Sequence, residues 1–124
     1  MKPQVGMIGL GVMGANLARN IESRGIPVAV YNRTVSVTDE FMKSYPGRFI
    51  ASSSLEEFVS SMESPRQIFM MVKAGAAVDT LMEQLAPLCS PGDILIDGGN
   101  TWFRDTQRRE NWAKEKGLNF LGIG

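Results

Sequence analysis

The sequence predicts an α/β fold, a doubly wound and mostly parallel sheet covered by helices. Two observations predict it. Short apolar runs alternate with longer amphipathic ones along the whole chain, the pattern of β-α-β units. A glycine-rich turn, Gly9 to Gly14, also separates the first apolar run from the first amphipathic one. No repeat, low-complexity tract or linker interrupts the pattern, so residues 1–124 read as one domain. Parallel strands joined by helices require right-handed crossovers, and such a sheet takes its ligand at the carboxyl ends of the strands.

Val5 to Leu10 reads as the first strand and Val12 to Arg24 as the first helix, with Leu17 and Ile21 on one face and Gly25 as its stop. Pro27 to Tyr31 follows as a strand, then Val35 to Tyr45 as a helix ended by Pro46-Gly47. Arg48 to Ala51 is a short third strand. Ser54-Leu55-Glu56-Glu57 is a capping box, opening a short helix. Gln67 to Val72 is a nearly continuous apolar run, as expected of a strand buried on both faces. Val78, Leu81, Met82, Leu85 and Leu88 recur at helical spacing, in a helix weakened near Pro87 and closed before Pro91-Gly92. Asp93 to Asp97 is the fifth strand, Thr101 to Lys116 a helix ended by Gly117, and Leu118 to Ile123 the last strand.

Composition narrows the function. Lys+Arg and Asp+Glu both number 13, and a net charge of zero argues against a nucleic-acid coat or a polybasic membrane surface. No histidine is present, which removes His triads, His metal ligands and imidazole acid-base chemistry. Cys89 is the single cysteine, so no internal disulfide and no Cys-based metal site forms. No segment approaches the ~20 apolar residues of a membrane span and no signal peptide is evident, so a soluble cytoplasmic protein is expected.

Gly9-Leu10-Gly11-Val12-Met13-Gly14 is a GxGxxG placed between a predicted strand and a predicted helix. In that context the first glycine permits the tight turn, the second lets a pyrophosphate approach the backbone, and the third lets helix and strand pack closely. The helix amides and dipole then face the phosphates. An acid at the end of the second strand would hold a ribose 2′-hydroxyl and favour NAD. Here that strand runs into Asn32-Arg33-Thr34 instead. A guanidinium and a hydroxyl suit the 2′-phosphate of NADP, because charge-assisted hydrogen bonds contribute about 1.5–3 kcal/mol each.

Val72-Lys73-Ala74-Gly75 and Asp97-Gly98-Gly99-Asn100 end the fourth and fifth strands on the same rim. Lys73 reads equally as an exposed strand-end lysine, and Asn100 as a helix N-cap. Met70-Met71, Trp102 and Trp112 read as packing residues. Arg104, Arg108 and Arg109, beside Asp105 and Glu110, read as a solvated, salt-bridged helix face.

These four motifs, with Ala15-Asn16-Leu17-Ala18-Arg19-Asn20 after the first, closely resemble the N-terminal Rossmann-like coenzyme domain of the decarboxylating 6-phosphogluconate dehydrogenases, within the β-hydroxyacid dehydrogenase superfamily. The resemblance spans essentially the whole chain. It implies that Gly9, Leu10, Gly11, Val12, Met13 and Gly14 hold the NADP pyrophosphate, with Met13 near the nicotinamide, and that Asn32, Arg33 and Thr34 hold the 2′-phosphate. Val72, Lys73 and Ala74 would line the coenzyme, and Asn100 would touch both nicotinamide and substrate.

The implied reaction oxidises the C3 hydroxyl of 6-phosphogluconate, releases carbon dioxide and yields ribulose 5-phosphate, in the pentose phosphate pathway and gluconate utilisation. The family's Ser-Gly-Gly substrate loop, and the helical domain with its Lys base and Glu acid, have no counterpart in these residues and are expected beyond Gly124. The expectation is therefore a truncated coenzyme domain that binds NADP, contains no catalytic residue, and is inactive alone. A sheet face left without later helices is expected to expose an apolar patch open to self-association. Two alternatives stay open: the coenzyme domain of another β-hydroxyacid dehydrogenase or semialdehyde reductase, and a stand-alone nucleotide-binding module.

Overall fold

The computed structural model describes residues 2–99 and 103–123. Its elements run β1 (Val5–Ile8), α1 (Val12–Ser23), β2 (Val28–Tyr31), α2 (Val35–Ser44), β3 (Phe49–Ala51), α3 (Leu55–Ser60), β4 (Gln67–Met70), α4 (Ala76–Leu85), β5 (Ile94–Asp97), α5 (Phe103–Glu115) and β6 (Asn119–Gly122). Each element anticipated above is present. The strands are shorter than their apolar runs. β1 stops at Ile8 and β4 at Met70, paired with each other, so Gly9, Leu10, Met71 and Val72 lie beyond the ladder. The expected start of the last helix, at Thr101 and Trp102, lies outside the described residues. So does Gly124, the position beyond which the general base and acid are expected.

All strand pairings are parallel and the order is β3-β2-β1-β4-β5-β6. The order reverses at β1, which pairs with β2 on one side and β4 on the other. A crevice therefore opens above the carboxyl ends of β1 and β4, where neighbouring crossovers leave to opposite faces.

Strand alternation builds two cores. Met7, Val28 and Val30 point to one face and pack with Ala18 of α1 and Phe41 of α2. Ile8, Ala29, Ile68, Met70 and Leu95 point to the other and pack with Phe58 and Val59 of α3, the α4 stripe Val78, Leu81, Met82 and Leu85, and Ala113 of α5. Each such buried aliphatic side chain contributes about 1.5–3 kcal/mol relative to exposure. Among the described residues the first face is covered by α1 and α2, packed around β1 to β3. Toward the other edge Leu121 of β6 and the following Ile123 are exposed.

Ser54 caps α3 by accepting from the Glu57 amide at 3.1 Å, the forward half of the expected capping box. At the amino end of the sheet, fully buried Asp93 accepts from the Ser64 hydroxyl (3.0 Å) and the Arg66 amide (2.8 Å) through Oδ1. Its Oδ2 accepts from the Ser90 amide and the Arg66 guanidinium, both at 2.8 Å. Burial pushes the Asp93 carboxyl up, but these donors outweigh it and hold the group below the ordinary carboxylate range. Burial foremost, with the nearby Asp93 carboxylate, pushes the Cys89 thiol up to about 11, which keeps it protonated at neutral pH.

Candidate functional site

Where β1 ends, Gly9 turns the chain at φ +95°, a conformation that side chains disfavour. Its amide donates to the Tyr31 carbonyl at 2.9 Å, tying the turn to β2. Gly11 is the N-cap of α1 and has no side chain to cap it. The first bond of α1 runs from the Ala15 amide to the Gly11 carbonyl at 2.8 Å, so the amides of Val12, Met13 and Gly14 have no carbonyl partner within the helix. A Cβ at Gly11 would meet nothing within 4 Å, leaving open space over the positive end of the helix. Gly14 faces the opposite way. A Cβ there would overlap the Gly9 carbonyl oxygen, which is how closely α1 sits on the end of β1. The side chains of Val12 and Met13 are exposed beside the turn.

The other two residues of this rim work from within. Leu10 is buried in the core, and its amide donates to Asn32 Oδ1 at 2.9 Å. Asn32 also donates its backbone amide to the Thr38 hydroxyl (3.1 Å) and its Nδ2 to the Thr34 carbonyl (3.2 Å). Asn32 is thus a latch between β2, α2 and the glycine turn. Arg33 is exposed at the mouth of the crevice, and Thr34 is the N-cap of α2 without a side-chain capping bond.

The crevice is a cleft of about 530 Å³. Gly9 and Gly11 form its floor, Asn32 and Arg33 one side, and Met71 and Val72 the other. Ala77, Thr80, Leu81 and Gln84 of α4 complete the wall. The sequence named none of these four as cleft residues, and placed Leu81 only in the core stripe of its helix. The signal for this face was present: the four positions recur at i, i+3, i+4 and i+7, offset from the core stripe of the same helix. Lys73 and Ala74 are exposed on the turn that follows Val72. Met71 lies under three glycines: its carbonyl or side chain would be struck by a Cβ at Gly9, Gly14 or Gly98. At the end of β5, Gly99 donates its amide to Asp97 Oδ1 at 2.9 Å. Asn100 lies outside the described residues.

Behind the rim is a charge network that corrects one expectation. Arg109 is not on a solvated face; its side chain is only 1% exposed. Its Nε donates to Asp79 Oδ1 at 2.8 Å and its Nη2 to the Gly75 carbonyl at 3.1 Å, while Nη1 lies 3.6 Å from buried Asp97. Arg108, which is exposed, holds the other side of Asp79 at 3.1 Å. The hydrogen bond from Arg109 foremost, against burial, holds the Asp79 carboxyl below its ordinary range. The local i,i+3 pair of Arg108 with Asp105, at 3.4 Å, is the part that sequence spacing anticipated.

A glycine turn and an uncapped helix N-terminus at the switch point of a sheet of this order define a doubly wound domain of the class that carries dinucleotides in other proteins. The family profile described as the NAD binding domain of 6-phosphogluconate dehydrogenase matches residues 4–124, and the chain belongs to that family. It is 53% identical over 124 residues to the NADP(+)-dependent, decarboxylating 6-phosphogluconate dehydrogenase of Bacillus subtilis, covering 99% of this chain and 26% of the relative. With the decarboxylating 6-phosphogluconate dehydrogenase of Staphylococcus epidermidis it shares 55% identity over 125 residues, covering 100% of this chain and 27% of the relative. A solved 6-phosphogluconate dehydrogenase of Plasmodium falciparum, studied in apo form and with NADP+ or 6-phosphogluconate, superposes with a TM-score of 0.89 at 38% identity, over 97% of this chain and 27% of that one. The chain spans about a quarter of the length of these curated relatives. Among the described residues no helix is long and apolar enough to cross a membrane.

Proposed function

We propose that this chain is the NADP-binding part of a cytoplasmic oxidoreductase that oxidatively decarboxylates 6-phosphogluconate to ribulose 5-phosphate. The observation that carries the reading is that one cleft joins an open helix N-terminus to an exposed arginine at the end of β2, where NAD-specific domains place a carboxylate. Within it, the amides of Val12, Met13 and Gly14 receive the diphosphate, and Arg33, with Thr34 beside it, receives the 2′-phosphate. Leu10 and Asn32 shape the loop from behind. Val72, Lys73 and Ala74 line the coenzyme beyond the diphosphate, and Asn100 meets both nicotinamide and substrate. When bound, the coenzyme would accept the hydride that leaves C3 as the hydroxyl there is oxidised. The residues of this chain bind and orient, while proton transfer to and from the sugar belongs to groups beyond Gly124.

Fluorescence titration with NADPH and NADH tests the reading. Loss of one charge-assisted hydrogen bond makes NADH the weaker ligand by about tenfold to a hundredfold. Equal affinities, or no binding of either, contradict it.

A further inference from the structure

We propose that Arg109 is a positioning residue that holds the nicotinamide half of the cleft in register, an inference that rests on the reading above. The sheet order sets the direction of a bound dinucleotide. Arg33 marks the β2 side and the glycine turn marks β1, so the remainder of the molecule runs on toward β4 and β5. The turns after those two strands, Val72 to Gly75 and Gly98-Gly99, form that far half.

Arg109 reaches both from below. Through Nη2 it holds the carbonyl of Gly75, the N-cap of α4, whose own cap has no side chain. Through Nε it holds Asp79 in the first turn of α4. Among the described residues its Nη1 makes no hydrogen bond, and it faces Asp97, the last residue of β5, as an ion pair at 3.6 Å. Asp97 in turn fixes the Gly99 amide. One planar cation therefore bridges the turn after β4 and the end of β5, where the ladder stops at Met70 and Asp97 and the Gly98 amide donates a long bond of 3.3 Å to the Met70 carbonyl. None of the Arg109 contacts named here reaches β2 or the glycine turn.

A lysine retains the charge but not the fork that spans an α4 carboxylate, a backbone carbonyl and Asp97 together. The experiment compares Arg109→Lys with wild type for two ligands: NADPH, and adenosine 2′,5′-bisphosphate, which lacks the nicotinamide half. Thermal melting is recorded alongside. Asp79→Asn is the second variant, since Asp79 is one-third exposed and its replacement removes the charge that orients the Arg109 fork toward Gly75 and Asp97. The expected result is a dissociation constant for NADPH raised about fivefold to tenfold in both variants, with that for the bisphosphate changed by less than about twofold. Equal weakening of both ligands, or of neither, in the variants that fold overturns the proposal. A wild-type protein that binds neither ligand defeats the parent reading instead, so the two failures are told apart.

Discussion

Asn32 Oδ1 accepts the amide proton of Leu10 at 2.9 Å, across 22 residues of sequence. The bond exists because β1 and β2 are parallel and in register, Ile8 opposite Tyr31, which brings the residues after each strand together on the rim. It gives Asn32 a different task from its neighbour Arg33. On the proposed function, Asn32 fixes the loop for the part common to both nicotinamide dinucleotides, whereas Arg33 would meet the part that distinguishes them.

Asn32→Ala is therefore expected to weaken NADPH and NADH by the same factor, about fivefold for a lost hydrogen bond of about 1 kcal/mol. Parallel titrations of the two ligands check this, and a change confined to NADPH contradicts it.

Arg33→Ala is expected to behave oppositely. It raises the dissociation constant of NADPH by about tenfold to a hundredfold, leaves that of NADH within about twofold, and flattens the salt dependence of NADPH binding. The ratio of the two constants, measured at two ionic strengths, is the readout.

Gly14→Ala is expected to destabilise the fold although alanine is the better helix former by about 1 kcal/mol. The added methyl overlaps the Gly9 carbonyl oxygen and forces α1 away from β1, at a cost of about 1–3 kcal/mol for overpacking. Denaturant unfolding shows the loss. NADPH affinity is expected to fall with it, because the displaced helix carries the amides proposed to receive the diphosphate.

The pH dependence of stability tests the Asp93 cluster. A carboxyl whose folded pKa lies below its unfolded value of about 3.9 binds fewer protons in the native state, so its stabilisation is present above that value and is lost as pH falls through the folded one. Asp93→Asn lowers stability at neutral pH and makes the acid limb of the stability curve shallower. An unchanged acid limb contradicts the contribution assigned to Asp93.

Much of this was legible in the sequence. The alternation of apolar runs specifies six strands and five helices, and the glycine spacing specifies the turn, because those signals are local and periodic. The strand ends were less legible. Leu10 and Val72 are as apolar as their strands, yet the ladder stops two residues before each, at Ile8 and Met70, and only the pairing shows where it stops. Arg109 was not legible. Its helical neighbours Asp105 and Glu110 suggest a solvated face, while its actual partners Asp79 and Asp97 lie on other elements, brought near by the parallel order of β4 and β5. Asn32 was picked out for its place beside Arg33, but its latch to Leu10 follows from strand register and from no spacing in the sequence.

The most direct measurement is a crystal structure of the protein grown with NADP+. The account predicts the diphosphate on the amides of Val12, Met13 and Gly14 and the 2′-phosphate on the Arg33 guanidinium. Density for the coenzyme elsewhere, or an Arg33 side chain directed into solvent with coenzyme in the cleft, would contradict it.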